Sequence, residues 1–162
     1  MAVTIQIVGP KDSGKTAVVT HLISCLTKKH FRVAAIKHDA HSSSMDIPGT
    51  DSYQMSAAGA RQVVLESNNQ LFFHQQGQRP PLAALVRLLG AENDFVIIEG
   101  HKAASYPKVV LIGDDKANNQ DFTAVITAPV RLVQNAHLDI QACDHLVQEI
   151  YNYLISQMGD QS

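Results

Sequence analysis

Short apolar runs alternate along the chain with stretches in which apolar side chains recur every three or four residues. The first strand-like run is Val3–Val8, and the residues from Thr16 onward carry apolar positions at helical spacing up to a basic turn at 28–30. Further strand-like runs lie at 32–37, 62–66, 71–74, 95–99, 108–112 and 123–127. This alternation is typical of a mainly parallel sheet with helices on both faces. The pattern therefore predicts an α/β fold.

Three more helices and one long polar segment complete the pattern. We predict a short helix over 51–58, a second over 80–90 with two prolines in its first turn, and a long amphipathic helix over 139–157. The segment from His38 to Asp51 contains three serines, a proline and a glycine, which predicts a loop. At 162 residues the chain suits a single domain, 1–162, with one hydrophobic core.

The segment between the first strand and the first helix fits the pattern G-x-x-x-x-G-K-[ST]. Its residues are Gly9, Pro10, Lys11, Asp12, Ser13, Gly14, Lys15 and Thr16. A glycine-bounded turn aims backbone N–H groups at phosphate oxygens, and the helix that follows presents its positive N-terminal end. Lys15 is expected to reach the β- and γ-phosphates, and the Thr16 hydroxyl is expected to bind Mg²⁺. The motif in this context predicts a phosphate-binding P-loop, and hence a P-loop NTPase fold.

A P-loop protein also needs an acidic side chain that organises Mg²⁺ and water. Two candidates flank the most apolar strand, because Asp94 precedes it and Glu99 ends it. Ligands of open parallel sheets lie beyond the carboxyl ends of the strands. We therefore expect Glu99 to face the nucleotide and Asp94 to lie at the opposite edge of the sheet.

The predicted loop after the second strand carries an H-x-x-H pair, His38 and His41, with Asp39 and Asp46 nearby. Such a cluster is able to bind a transition metal, but two histidines at this spacing are weak evidence for a metal site. We favour a loop that folds over a phosphorylated or pterin-like ligand. Both alternatives stay open at this point.

Composition and charge exclude several classes of protein. With a net charge of −2 and 17% charged residues, the chain lacks the basic field that nucleic-acid binding usually requires. Cys25 and Cys143 are far apart without metal-ligand spacing, which indicates reduced thiols and a cytoplasmic protein. We expect no secretion signal, because the N-terminus enters a strand without a charged segment followed by an apolar stretch, and no membrane span, because the chain has no apolar run of about 18 residues.

The motifs taken together resemble the molybdopterin-guanine dinucleotide biosynthesis adaptor protein B family (MobB). The resemblance rests on the P-loop, Ile36-Lys37-His38 with His41, the run 46–52, Ala58-Gly59-Ala60, the run 95–102, and Pro107-Lys108. It covers most of the first two-thirds of the chain and fades after Val110. Ala17 and His101 depart from the family pattern, in which a second threonine and an aromatic residue are common at these places.

The resemblance implies a GTP-binding, weakly hydrolysing homodimer. Such a protein assists the guanylyltransferase that attaches GMP to molybdopterin. Lys15 would then neutralise phosphate charge, Thr16 would bind Mg²⁺, and Glu99 would help to position metal-bound water. His38, His41, Asp46 and Asp51 would shape a second ligand surface, on which molybdopterin is the bound intermediate.

Two other classes of protein share parts of this pattern. A small-molecule kinase has a P-loop and a similar length, but it generally uses several lid arginines, and no two of the five arginines here are closely spaced. A metallochaperone GTPase would need metal binding at His38 and His41. The choice of base is also open: the run 118–121 partly resembles a guanine-selective Asn-Lys-x-Asp motif but lacks its lysine, so an Asn-rich turn is favoured.

Overall fold

The computed structural model describes residues 1–39, 46–112, 133–134 and 140–159. These residues fall into two compact units, one formed by Met1–His38 with Val86–Ser162 and the other by Asp39–Leu85. The strands are β1 (Val3–Val8), β2 (Val33–Lys37), β3 (Gln62–Glu66), β4 (Leu71–Gln75), β5 (Phe95–Glu99), β6 (Lys108–Ile112) and β7 (Val133–Gln134). The helices are α1 (Lys15–Thr27), α2 (Asp51–Ala57), α3 (Leu82–Gly90) and α4 (Ile140–Gly159).

The first unit contains a five-stranded sheet in the order β2-β5-β1-β6-β7. All four neighbouring pairs are parallel, and β5 is in register with both β1 and β2, so that Glu99 lies opposite Ile7 on one side and Lys37 on the other. Strands buried on both faces need near-continuous apolar sequence. The β5 run Phe-Val-Ile-Ile-Glu meets this requirement, and all five of its residues are buried.

Helices α1 and α4 pack together on one face of this sheet. Their buried apolar side chains are Val18, Val19, Leu22 and Leu26 from α1 with Leu146, Val147, Ile150 and Leu154 from α4. They meet alternate residues of the strands, among them Ile5, Ile7, Phe95 and Ile97. On the other face Val96 and Ile98 are also fully buried, and a Cβ atom built on Gly90 of α3 would lie 3.9 Å from a methyl group of Val96.

The second unit consists of α2 and an antiparallel hairpin of β3 and β4. The strands pair from Gln62 opposite Gln75 to Glu66 opposite Leu71. Across the turn, the backbone amide of Ser67 donates to the Gln70 carbonyl at 2.9 Å. Thr50 caps α2, since its hydroxyl accepts a hydrogen bond from the Tyr53 amide. Val63 is buried on the hairpin face that contacts α2.

The α/β class, the parallel sheet and every predicted element that lies within the described residues are confirmed. The element bounds agree to within two residues, and the strand predicted at 123–127 lies outside the described residues. The prediction of a single domain stays a prediction. Within the described ranges, no helix is long and apolar enough to span a bilayer.

Candidate functional site

The loop between β1 and α1 is built on residues that take up unusual backbone conformations. Asp12 and Gly14 both have positive φ angles, 60° and 82°. The Ser13 hydroxyl donates to the Pro10 carbonyl at 2.9 Å, which closes the turn. A Cβ atom at Gly9 would come within 2.6 Å of the Ser13 hydroxyl oxygen and 2.8 Å of the Leu111 carbonyl, so only glycine fits there. Gly9 is thus confined between the Ser13 side chain and Leu111 of β6.

Lys15 is the first residue of α1, and its ammonium group donates to the Pro10 carbonyl across the mouth of the loop. Burial lowers the pKa of Lys15 below its ordinary value, while the Glu99 and Asp12 carboxylates act in the opposite direction. A partly buried ammonium at a helix N-terminus attracts anions through both its charge and the helix dipole. The position suits an ammonium that contacts phosphate oxygens.

Thr16 and Glu99 come together although they lie far apart in the sequence. The Thr16 hydroxyl donates to the Glu99 carboxylate, at 3.0 Å from Oε1 and 3.2 Å from Oε2. The Lys37 ammonium lies 3.3 Å from Glu99 Oε1. A hydroxyl and a nearly buried carboxylate are oxygen donors of the kind that Mg²⁺ prefers when phosphates and waters complete its coordination. The residues present therefore fit a Mg²⁺–phosphate ligand.

Asp94 lies at the opposite edge of the sheet from this cluster, as the strand direction predicts. Its carboxylate accepts a hydrogen bond from the Arg32 backbone amide at 2.8 Å and forms an ion pair with the Arg32 guanidinium at 3.1 Å. These contacts lower the pKa of Asp94. Asp94 thus ties the start of β2 to the start of β5 and has a structural role.

His38 follows β2 directly, and its imidazole contacts that of His101. The two ring centroids are 4.3 Å apart, and the rings are tilted by 56°. The His38 amide donates to the Glu99 carbonyl at 2.9 Å, which continues the pairing of β2 with β5 by one residue. Side chains alternate along a strand, so His38 projects from the sheet face opposite to Lys37 and Glu99. Among the described residues, no group of three or more His, Cys, Asp or Glu side chains is placed to hold a metal ion.

Comparison with known proteins identifies the family. The model of one protein family, described as "Molybdopterin guanine dinucleotide synthesis protein B", matches residues 4–131. The chain belongs to the MobB family. A relative from Haemophilus influenzae, named a molybdopterin-guanine dinucleotide biosynthesis adapter protein, is 30% identical over 157 residues, which cover 93% of this chain and 88% of the relative. A putative adapter protein of the same name from Methanocaldococcus jannaschii is 36% identical over 129 residues, and the matched part spans only 53% of that longer relative.

Solved structures of MobB proteins have the same fold. The crystal structure of a MobB homolog from Bacillus stearothermophilus superposes with a TM-score of 0.70 at 19% sequence identity, covering 94% of this chain and 98% of that one. A crystal structure titled molybdopterin-guanine biosynthesis protein B also gives a TM-score of 0.70, at 23% identity. At these identities the likeness concerns the fold alone. It agrees with the P-loop NTPase architecture that the sequence predicts.

Asp46 and Asp51, to which the MobB resemblance also points, belong to the second unit. The Asp46 carboxylate accepts hydrogen bonds from the Ile47 amide at 3.1 Å and the Ser52 hydroxyl at 3.0 Å, and it lies 3.8 Å from His74 Nδ1, all within the second unit. Asp51 is exposed in the first turn of α2, where a carboxylate stabilises the helix dipole. Asp46 and Asp51 therefore each have a structural role that does not depend on a ligand. His41 and the run 118–121 lie outside the described residues.

The sequence analysis did not identify two buried polar residues near the site. Gln6 is fully buried in the middle of β1, and Lys108 is almost fully buried at the start of β6. A glutamine inside the apolar run Val3–Val8 is a signal that was present in the sequence, since buried polar side chains normally have specific partners. Lys108 gives no such local signal, because a lysine at a strand end is usually exposed.

Proposed function

We propose that this chain is a GTP-binding adapter with weak GTPase activity that assists the attachment of GMP to molybdopterin in the synthesis of molybdopterin guanine dinucleotide. The observation that carries the proposal is the contact between Thr16 of the P-loop and Glu99 at the end of β5, in a chain of the MobB family. The names of the relatives support the pathway. The P-loop geometry supports the nucleotide.

In this proposal the residues of the P-loop (9–16) and Glu99 each have a distinct task. The backbone amides of Gly9, Lys11, Asp12, Ser13 and Gly14 surround the phosphates, and the Lys15 ammonium neutralises their charge. Thr16 and Glu99 would hold Mg²⁺, which would supply charge stabilisation for the phosphate groups during hydrolysis. The Glu99 carboxylate also orients the attacking water. Slow hydrolysis is part of the proposal, as the resemblance to the MobB family implies.

A second ligand, molybdopterin, is proposed to bind with contributions from His38, His41, Asp46 and Asp51, as the resemblance to the MobB family implies. The opposite projection of His38 and Glu99 from the sheet supports two adjacent sites at one edge, one on each face. Imidazole rings stack on flat heteroaromatic rings and donate hydrogen bonds to phosphate. A pterin that carries a phosphate group would use both properties.

We propose that the protein is a cytoplasmic homodimer in which each chain is a single nucleotide-binding domain. This dimer is proposed to act together with a guanylyltransferase. Support for self-association comes from the β3–β4 hairpin. Val64, Leu71 and Phe73 project from one face of it and are each more than half exposed. An isolated two-stranded hairpin is marginally stable in water, and an apolar patch of this kind is typical of interaction surfaces.

Equilibrium binding of GTP, ATP and molybdopterin to the purified chain tests the proposal, with the mass measured in solution. We expect Mg²⁺-dependent GTP binding, a dimeric mass, and a faster guanylylation of molybdopterin when the chain is added to a reconstituted assay. A chain that binds neither nucleotide contradicts the P-loop assignment. Stoichiometric nickel or zinc binding without any effect on guanylylation would instead favour a metallochaperone.

A further inference from the structure

The side chain of Gln6 binds the loop 100–104, which follows β5. The Gln6 side-chain amide donates to the Gly100 carbonyl at 2.7 Å and also to the His101 carbonyl. The other side-chain atom, Oε1, is buried without a hydrogen-bond partner among the described residues. Burying an amide oxygen without a hydrogen-bond partner destabilises the folded protein. Gln6 is therefore a poor choice for core packing alone, and its two bonds to the loop are what distinguish it from an apolar residue.

Lys108 holds the same loop a few residues further on. Its ammonium donates to the Lys102 carbonyl at 3.0 Å and to the Ala104 carbonyl at 2.7 Å. Lys108 lies opposite Gln6 in the β1–β6 register, so the two side chains are neighbours on one face of the sheet. Burial lowers the pKa of Lys108, and in the described part of the chain only carbonyl oxygens accept its hydrogen bonds. Four carbonyls of the loop 100–104 are thus bound to two buried side chains.

The conformation that these bonds hold is one that the loop would not adopt unaided. Gly100 and His101 both have positive φ angles, 87° and 54°. A non-glycine residue in the left-handed region is strained and persists only where its surroundings impose that conformation. Gln6 accounts for this, because it binds the carbonyls of both residues.

This conformation sets the geometry on both sides of the strand end. Glu99, which contacts Thr16, is the residue before Gly100, and the turn at Gly100 brings the His101 ring against His38. The approach is close, because a Cβ atom at Gly100 would lie 3.1 Å from His38 Cβ. We propose that Gln6 and Lys108 are positioning residues that fix the loop 100–104, and through it both the Glu99 carboxylate and the His38–His101 pair. This inference rests on the proposed function for its effect on hydrolysis, but not for its effect on the histidines.

Two nearly isosteric variants test it, Gln6→Met and Lys108→Met, which remove the donors and keep the side-chain length. We expect the Kd for GTP measured without Mg²⁺ to stay within about threefold of the parent, because the P-loop itself is intact. Single-turnover hydrolysis should fall by about 10- to 100-fold, the effect of displacing a group by roughly 1 Å. In NMR spectra the imidazole signals of His38 and His101 should shift, while the signal of His145 on α4 stays in place.

The matched control is Val96→Ala, a truncation of a fully buried residue near the other end of β5. It should lower the melting temperature without changing hydrolysis or the histidine signals. The proposal is overturned if the His38 and His101 signals are unchanged in both methionine variants, or if hydrolysis falls no further than in Val96→Ala. If the parent chain binds no GTP, the proposed function fails, and the histidine signals still decide whether the loop is positioned as we infer.

Discussion

Replacing Glu99 by glutamine separates the charge of this side chain from its shape. The amide keeps an oxygen that accepts the Thr16 hydroxyl, which lies at 3.0 Å in the parent, and loses the ion pair with Lys37 at 3.3 Å. Lys37 is 62% exposed and stays solvated without its partner, so the lost ion pair is worth about 0–1 kcal/mol. The change from a charged to a neutral acceptor costs about 1 kcal/mol more.

The expected loss of stability is therefore about 1–2 kcal/mol, which lowers the melting temperature of a chain of this size by about 2–8 °C. Binding of GTP without Mg²⁺ should be unchanged or tighter, because a negative charge near Lys15 is removed. Hydrolysis should fall by about 100-fold, the lower end of what the loss of one preorganised electrostatic contact in an active site costs. The measurements are thermal unfolding, GTP titration with and without Mg²⁺, and single-turnover hydrolysis.

Glu92→Gln is the control, since it removes an exposed carboxylate just before β5, at the other edge of the sheet. It should leave all three measurements near those of the parent. Turnover of Glu99→Gln equal to the parent, with affinity intact, would remove Glu99 from the mechanism. Asp94 would not replace it, because that carboxylate is bound to Arg32 far from the P-loop. A loop carboxylate would then be the next candidate.

Four further changes have expected results. Lys15→Ala should raise the Kd for Mg²⁺–nucleotide by about 10- to 150-fold, since a charge-assisted contact of about 1.5–3 kcal/mol is lost, and near-parental affinity would refute the P-loop assignment. Thr16→Ala should reduce the gain in affinity that Mg²⁺ brings, and an equal loss measured without Mg²⁺ would show that the hydroxyl has no metal role. Phe95→Ala should destabilise the protein by about 3–5 kcal/mol in denaturant titration, because Phe95 is fully buried and packs edge-on against Phe31 at 5.2 Å; a loss below about 1 kcal/mol would contradict this packing. Asp94→Asn should flatten the fall in the free energy of unfolding at acid pH. Arg32 lowers the pKa of Asp94 below its ordinary 3.8, so the stabilisation by this pair is complete above pH 3.8 and is lost as the pH falls through the lowered pKa. An unchanged fall at acid pH would refute this linkage.

Local patterns were enough to predict the elements and the P-loop. The turn residues around Gly59 and at 67–70 bound the β3 strand on both sides, and the strand runs from Gln62 to Glu66 as predicted. Strand direction alone placed Glu99 and Asp94 at opposite edges of the sheet. These inferences succeed because the information that fixes them is carried by neighbouring residues.

The loop after β5 shows what local patterns do not contain. The side chains that bind the 100–104 carbonyls come from β1 and β6. The sequence of a strand does not indicate which other strand will lie beside it in the sheet. The contact of His38 with His101 depends on the same strand order. The sequence pattern paired His38 only with residues close along the chain, and His41, the other histidine of that pair, lies outside the described residues.

The strand order also bears on how the protein is made. In the described part of the chain, β1 pairs with β5 and β6, and β2 pairs with β5, so none of these pairings is local. Pairings of high contact order form slowly, and a nascent chain emerges from the ribosome over seconds. Both early strands must stay unpaired, with their apolar side chains exposed to chaperones or to other chains, until β5 is synthesised. Leu111 of β6, which abuts Gly9, arrives later still. The phosphate-binding loop is therefore among the first segments to be translated and among the last to reach its final shape.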